Sequence, residues 1–155
     1  MAQKKTAKKK KKTAPKKVTK KKAAKKKVSF APKGYHTATP FLHVPDTRAA
    51  IAFYVKAFGA KQVSLMTGPG GSVMHAEIRI GDSHIMMGDA NPDMGMASPD
   101  TLGGSAGGIM LYVPNVDKVW AAAVAAGATV LMPLDNQFWG DRYGQMKDPD
   151  RKSTR

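Results

Sequence analysis

VPDTRAAIAFYVKAFGA at residues 44–60 and VPNVDKVWAAAVAAGA at residues 113–128 are two spellings of one structural unit. Each opens on Val-Pro, continues with Asp46 or Asn115 as a helix cap, and closes on Gly-Ala. In the first copy Ile51, Tyr54, Val55 and Phe58 recur at i, i+3, i+4 and i+7, which predicts one apolar helical face. Gly59 suits the left-handed residue that ends a helix. In the second copy residues 116–126 read as the helix, with Gly127 as its stop.

Outward from the first helix, residues 39–44 read as a strand. Residues 61–67, 73–80 and 84–89 follow as three more, separated by Gly68-Pro69-Gly70-Gly71 and Gly81-Asp82-Ser83 turns. The order is β-α-β-β-β. Strands at residues 109–113 and 130–134 flank the second helix in the same way. The fold class is therefore α+β: two βαβββ modules, at residues 34–90 and 108–155, joined by a Gly/Pro/Ser-rich linker at 91–107. Two such sheets can enclose one cavity.

Charge divides the chain again. Residues 1–33 hold sixteen lysines and no acidic residue, so the formal charge of +15 is +16 from this tail and −1 from the rest. Mutually repelling lysines that cannot be buried predict a disordered, Lys-rich segment able to bind DNA or RNA phosphates without sequence preference. It has no arginine, and no aromatic residue before Phe30, so guanine readout and base stacking are not its chemistry. Cysteine is absent, which excludes disulfides and thiolate chemistry. No apolar run approaches the roughly 20 residues of a bilayer span, and the basic N-terminus lacks an apolar secretory core. A cytoplasmic protein without a membrane partner is expected, with nucleoid association through the tail as a further possibility.

The motifs GYHTATPFL, AIAFYVKAFGA, VMHAEIRIGDSHIMMGD, LYVPNVDKV, AAGA and NQFWGDRYGQMKDP, spread in order over residues 34–149, resemble the vicinal oxygen chelate superfamily of glyoxalases, bleomycin resistance proteins and dioxygenases. Among these the chain is similar to the PhnB-like subgroup. The resemblance implies paired modules around a small-molecule cavity, often completed in a homodimer, with a divalent metal acting as Lewis acid in active members. Carried onto this chain, the metal-ligand positions fall on Thr39, on Met86 or Met87, and on Gly108, with the fourth past the last residue. Thr is a weak ligand, thioether is poor for hard cations and Gly has no donor, so neither a metal nor another cofactor is expected.

The family continues after Asp148-Pro149 with a turn and a strand, whereas this chain reads DPDRKSTR. The resemblance thus implies that module two lacks its last strand and has an open edge. A shifted frame or truncated gene, a misread gene boundary, and a natural short form completed by a partner subunit would each produce this ending. A domain of low stability is the expectation.

Alternation along residues 73–80 places His75, Glu77 and Arg79 on one face, where Glu77 with His75 is the candidate catalytic pair and Arg79 a ligand contact. The competing structural reading pairs Glu77 with Arg79 or with a neighbouring strand. Thr39, Phe41 and His43 share a face of the first strand and join Met86 as ligand contacts. Phe138, Trp139, Asp141 and Tyr143 form an aromatic-polar loop expected at the cavity mouth. His36 and His84 read as surface residues. The function that follows is small-molecule binding without a normal metal site, catalysis being undecided. The alternatives are a nucleic-acid-associated protein acting through its tail, or a nonfunctional truncated product.

Overall fold

The structure, a computed structural model, describes residues 31–105 and 107–149; the tail through Phe30 and the last six residues, on which the disorder and chain-ending expectations bear, lie outside the described residues. Eight principal elements follow one another: β1 (Phe41–Val44), α1 (Thr47–Phe58), β2 (Lys61–Thr67), β3 (Val73–Ile80), β4 (Ser83–Asp89), α2 (Val116–Ala125), β5 (Thr129–Asn136) and β6 (Arg142–Lys147). The fold is a mixed α+β one. The first four strands form one sheet in the order β1-β4-β3-β2, and β5 pairs with β6 in a second. β1 runs parallel to β4, while the β2–β3, β3–β4 and β5–β6 pairs are antiparallel.

Local chemistry sets the helix ends. Asp46 accepts the Arg48 and Ala49 N–H groups at 2.9 and 3.0 Å, satisfying donors that the first turn leaves free. Gly59 ends α1 at φ 64°, and the Ala60 N–H reaches back to the Tyr54 carbonyl at 3.2 Å. Asn115 caps α2 through the Lys118 N–H at 2.9 Å.

The buried stripe of α1 is Thr47, Ala50, Ile51, Phe53, Tyr54 and Ala57. It is rotated from the face the periodicity predicts: Phe53 turns inward and Val55 stays exposed. Ala50 and Ala57 let the helix lie close on the sheet, and that approach selects the stripe. Beneath it Val44, Val73, Ile78 and Met87 are fully buried, each contributing about 1.5–3 kcal/mol of apolar transfer. The two helices also pack on one another.

Asp89 ties three elements together. Its carboxylate accepts the N–H of Thr47 at 2.9 Å, at the start of α1, and that of Val73 at 2.7 Å, at the start of β3. Burial alone would raise its pKa. The Val73 and Thr47 hydrogen bonds, with the Arg48 charge, outweigh burial and hold it below the ordinary carboxylate value.

Module two departs from the expected repeat. Residues 109–113 join no strand ladder. β1 is a strand because β4 lies beside it; among the described residues nothing occupies the equivalent place in module two. The hairpin instead has a second strand, β6, through residues read from sequence partly as loop. Arg142, the first residue of β6, grips Asp117 on α2 with Nε at 3.0 and 3.1 Å from the two carboxylate oxygens and Nη2 at 2.7 Å from Oδ1. That hydrogen bonding holds the Asp117 carboxyl below its usual range. At the other end of β6, the Tyr54 hydroxyl donates to Asp148 at 2.6 Å.

Candidate functional site

The four-stranded sheet has two unlike faces. Ala76, Ile78, Ile85 and Met87 pack with the α1 core. The opposite face is set by register, since directly paired residues project the same way: Phe41 opposes Met86, Met86 opposes Glu77, and His75 opposes Met66. On this face the Phe41 ring lies 4.9 Å from His43 and 5.8 Å from His75, centroid to centroid. Phe41 and Met66 remain 44% and 63% exposed, so this face keeps an uncovered apolar part beside its histidines. His43 Nδ1 is shut off from solvent and has no hydrogen-bond partner among the described residues.

Glu77 is buried on the same face and does not pair with Arg79; its partner sits on the neighbouring strand β4, the other form of the structural alternative. The guanidinium of Arg79 donates to the Gly81 carbonyl. Glu77 Oε1 lies 2.5 Å from His84 Nδ1, an ion pair whenever His84 is protonated. The His84 ring stacks on Tyr35 at 4.2 Å. The Tyr35 phenol bonds to Glu77, and this bond, followed by desolvation and the carboxylate charge, raises its pKa above the ordinary value. His84 is therefore part of a half-buried trio and not the surface residue expected, whereas His36 is exposed.

Tyr35 and His84 are the residues that sequence reasoning missed. The two-residue Gly81-Asp82 turn makes His84 the partner of Arg79, and hence a same-face neighbour of Glu77. Counting back across that turn was the signal for His84. Nothing local announced Tyr35.

The remaining candidates do not converge on this face. Trp139 Nε1 donates to Asp141 at 3.1 Å, and its ring meets Phe138 and Tyr143 at 4.9 and 5.9 Å. Phe138 is 97% exposed and lines neither the cleft on the helix side nor the hollow beside Tyr35 and His84. A cleft of about 730 Å³ opens on the helix side between α1, α2, residues 107–113 and β6, and of the expected contacts only Tyr143 lines it. Thr39 is half-buried just before β1.

The positions that the resemblance marks for a metal carry poor donors. Met86 takes the Glu77 face, while Met87 is fully buried on the core side. Gly108 offers no side chain. Among the described residues no three His, Cys, Asp or Glu side chains group as a metal site. A Thr, a thioether and a Gly do not fit a hard divalent cation. No helix among the described residues is long and apolar enough to cross a membrane.

Comparison with known proteins agrees with this geometry. Residues 35–151 match the model of the Glyoxalase/Bleomycin resistance protein/Dioxygenase superfamily. The uncharacterized protein Mb0911c of Mycobacterium bovis is 43% identical over 114 residues, covering 72% of this chain and 75% of its own length. A solved gene product of Arabidopsis thaliana superposes with a TM-score of 0.60 at 23% identity, over 74% of this chain and 92% of that one. TnmS3, an antibiotic binding protein from Streptomyces sp. CB03234, gives a TM-score of 0.53 at 23% identity, over 75% and 90%. The chain belongs to the glyoxalase/bleomycin resistance protein/dioxygenase superfamily.

Proposed function

We propose that this chain is a PhnB-like member that binds a small organic molecule against the uncovered face of β1, β4 and β3, without metal-dependent chemistry. The observation that carries the reading is the Phe41–His43–His75 ring cluster on a partly open face, with the His43 Nδ1 atom lacking a partner among the described residues. Phe41, Met66 and Met86 supply apolar platform, and His43 and His75 supply polar contacts, as binding sites commonly combine them. Glu77 is already engaged by His84 and Tyr35. That engagement favours a role in holding the face over proton abstraction from a ligand. The antibiotic-binding function of TnmS3 makes antibiotics the first compounds to try. A second copy closing over Phe41 and Met66 would complete the cavity.

The test is a panel of antibiotics and aromatic metabolites titrated into the full chain by calorimetry. Binding by at least one compound is expected, and Phe41→Ala should weaken it about tenfold, the loss of roughly 1–1.5 kcal/mol of aromatic contact. Because Phe41 is exposed, the melting temperature of the variant should barely move. Saturable binding that Phe41→Ala and His43→Ala leave intact would remove the site from consideration.

The charge segregation supports a second, independent role for residues 1–33. With about eight lysines engaged on duplex DNA, log affinity should fall against log salt with a slope of about −7. Fluorescence anisotropy of the full chain against a chain lacking residues 1–33 checks this. No retention by the full chain at about 0.15 M salt, the physiological range, would end the idea.

A further inference from the structure

Register sorts the face that carries Phe41 into rows. Phe41, Met86, Glu77 and Ser64 stand side by side across β1, β4, β3 and β2. His84, Arg79 and Lys61 form an adjoining row across β4, β3 and β2. His84 and Arg79 each lie two residues along their strand from Met86 and Glu77, so both rows belong to one face. Two residues of strand put the rows roughly 6.6 Å apart. Beside the His84–Arg79 pair lies a hollow of about 580 Å³, walled also by Lys33 and Tyr35 from the segment before β1. The apolar row and the hollow are thus neighbours on one surface.

The hollow is basic. Lys33, Arg79 and the adjacent Lys61 outnumber Glu77 and Asp82, and each proton taken up by His36 or His84 widens the difference. Arg79 donates to the Gly81 carbonyl, a neutral acceptor that aims the guanidinium without cancelling its charge. Among the described residues neither Arg79, Lys33 nor Lys61 has a carboxylate within ion-pair distance. Glu77 is engaged by His84 and Tyr35. Asp82 sits in the exposed turn and accepts the Ser83 hydroxyl at 3.0 Å. His84 gives Nδ1 to Glu77 and turns Nε2 toward Gly34, on the wall of the hollow, which leaves that nitrogen to a ligand. Arg79 and His84 are half-buried, so salt screens them less than it screens a fully exposed charge.

We propose that the ligand of this face is an aromatic acid, with its ring on Phe41 and Met86 and its carboxylate in the hollow against Arg79, His84 Nε2 and Lys33. The proposal rests on the small-molecule reading above and narrows it to a chemical class. A guanidinium matches the two oxygens of a carboxylate in one plane, and a charge-assisted hydrogen bond is about twice as strong as a neutral one. Ring and carboxylate should stand about one row apart, roughly 7 Å. An uncharged aromatic of the same shape gains the Phe41 contact but leaves the cations of the hollow unanswered.

The probes are biphenyl-4-carboxylate, whose far ring lies about one row from its carboxylate, and the uncharged biphenyl-4-carboxamide. Each is titrated by calorimetry into the full chain and into its Arg79→Gln, Lys33→Gln and Phe41→Ala variants. Saturable one-to-one binding of the acid is expected, about tenfold tighter than that of the amide, with an advantage that shrinks as salt rises. Arg79→Gln should weaken the acid about tenfold and leave the amide nearly unchanged. It keeps every lysine of residues 1–33, so the loss belongs to the hollow and not to the tail. Lys33→Gln, at an exposed residue outside every helix and strand, should weaken the acid about threefold without moving the melting temperature. Phe41→Ala should weaken acid and amide alike. Equal binding of the two probes, or an acid advantage that survives both Arg79→Gln and Lys33→Gln, overturns the proposal. So does an acid held instead by His43 and His75, one row to the other side of Phe41, which would ignore Arg79→Gln. Absence of saturable acid binding overturns it as well, and the small-molecule reading is then decided by the antibiotic panel alone.

Discussion

Asp89→Asn should lower stability at pH 7 by about 2–3 kcal/mol, the range for breaking a charge-assisted hydrogen bond and placing a donor against a donor. The amide keeps one oxygen for either Thr47 or Val73 and must turn its NH2 toward the other N–H. The effect reaches far because the lost bond joins the end of β4 to the starts of both α1 and β3. For a domain of this size the melting temperature should fall by roughly 10 °C. The carboxyl is depressed in the folded state. Its contribution is therefore fully present above the unfolded value of about 3.9 and is lost as pH falls through the lower folded value. The gap between wild type and variant should accordingly be wide at pH 7 and close below about pH 4. Urea unfolding at both pH values measures it, and an equal gap at pH 7 and pH 3 would show that the carboxylate charge is not what matters.

Gly144→Ala should cost about 2–3 kcal/mol, at the upper end for overpacking. A methyl there would sit 2.6 and 2.8 Å from two atoms of the Trp120 ring and 2.9 Å from the Leu134 Cα. The ring has the cleft to swing into, so that collision alone would be inexpensive. The Leu134 Cα belongs to the backbone of β5 and cannot move without disturbing the hairpin. The measurement is denaturant unfolding together with the emission of Trp120 in a Trp139→Phe background. Red-shifted emission with a stability loss is expected. A red shift with no loss would mean that the β5–β6 pair is looser than its ladder implies.

Much of module one was legible because its signals are local. Asp46, Gly59 and the Gly81-Asp82 turn each act within a few residues, so the helix and the strands after it follow from spacing. The Phe41, His43 and Met86 face also follows from alternation once β1 and β4 are set side by side. What escaped is what needs a third dimension. The Tyr54–Asp148 bond spans 94 positions and leaves no periodic trace. Tyr35 reaches Glu77 from outside any regular element. Residues 109–113 carry strand-like side chains, but a strand exists only through its neighbour, and alternation cannot say whether one is there.

The two anchors of β6 have a mechanical meaning. Arg142 is pegged to Asp117 at one end and Asp148 to Tyr54 at the other, so the strand is moored to a different helix at each end. Cutting one peg should therefore let that end fray first, read as faster amide exchange there while the far end keeps its protection.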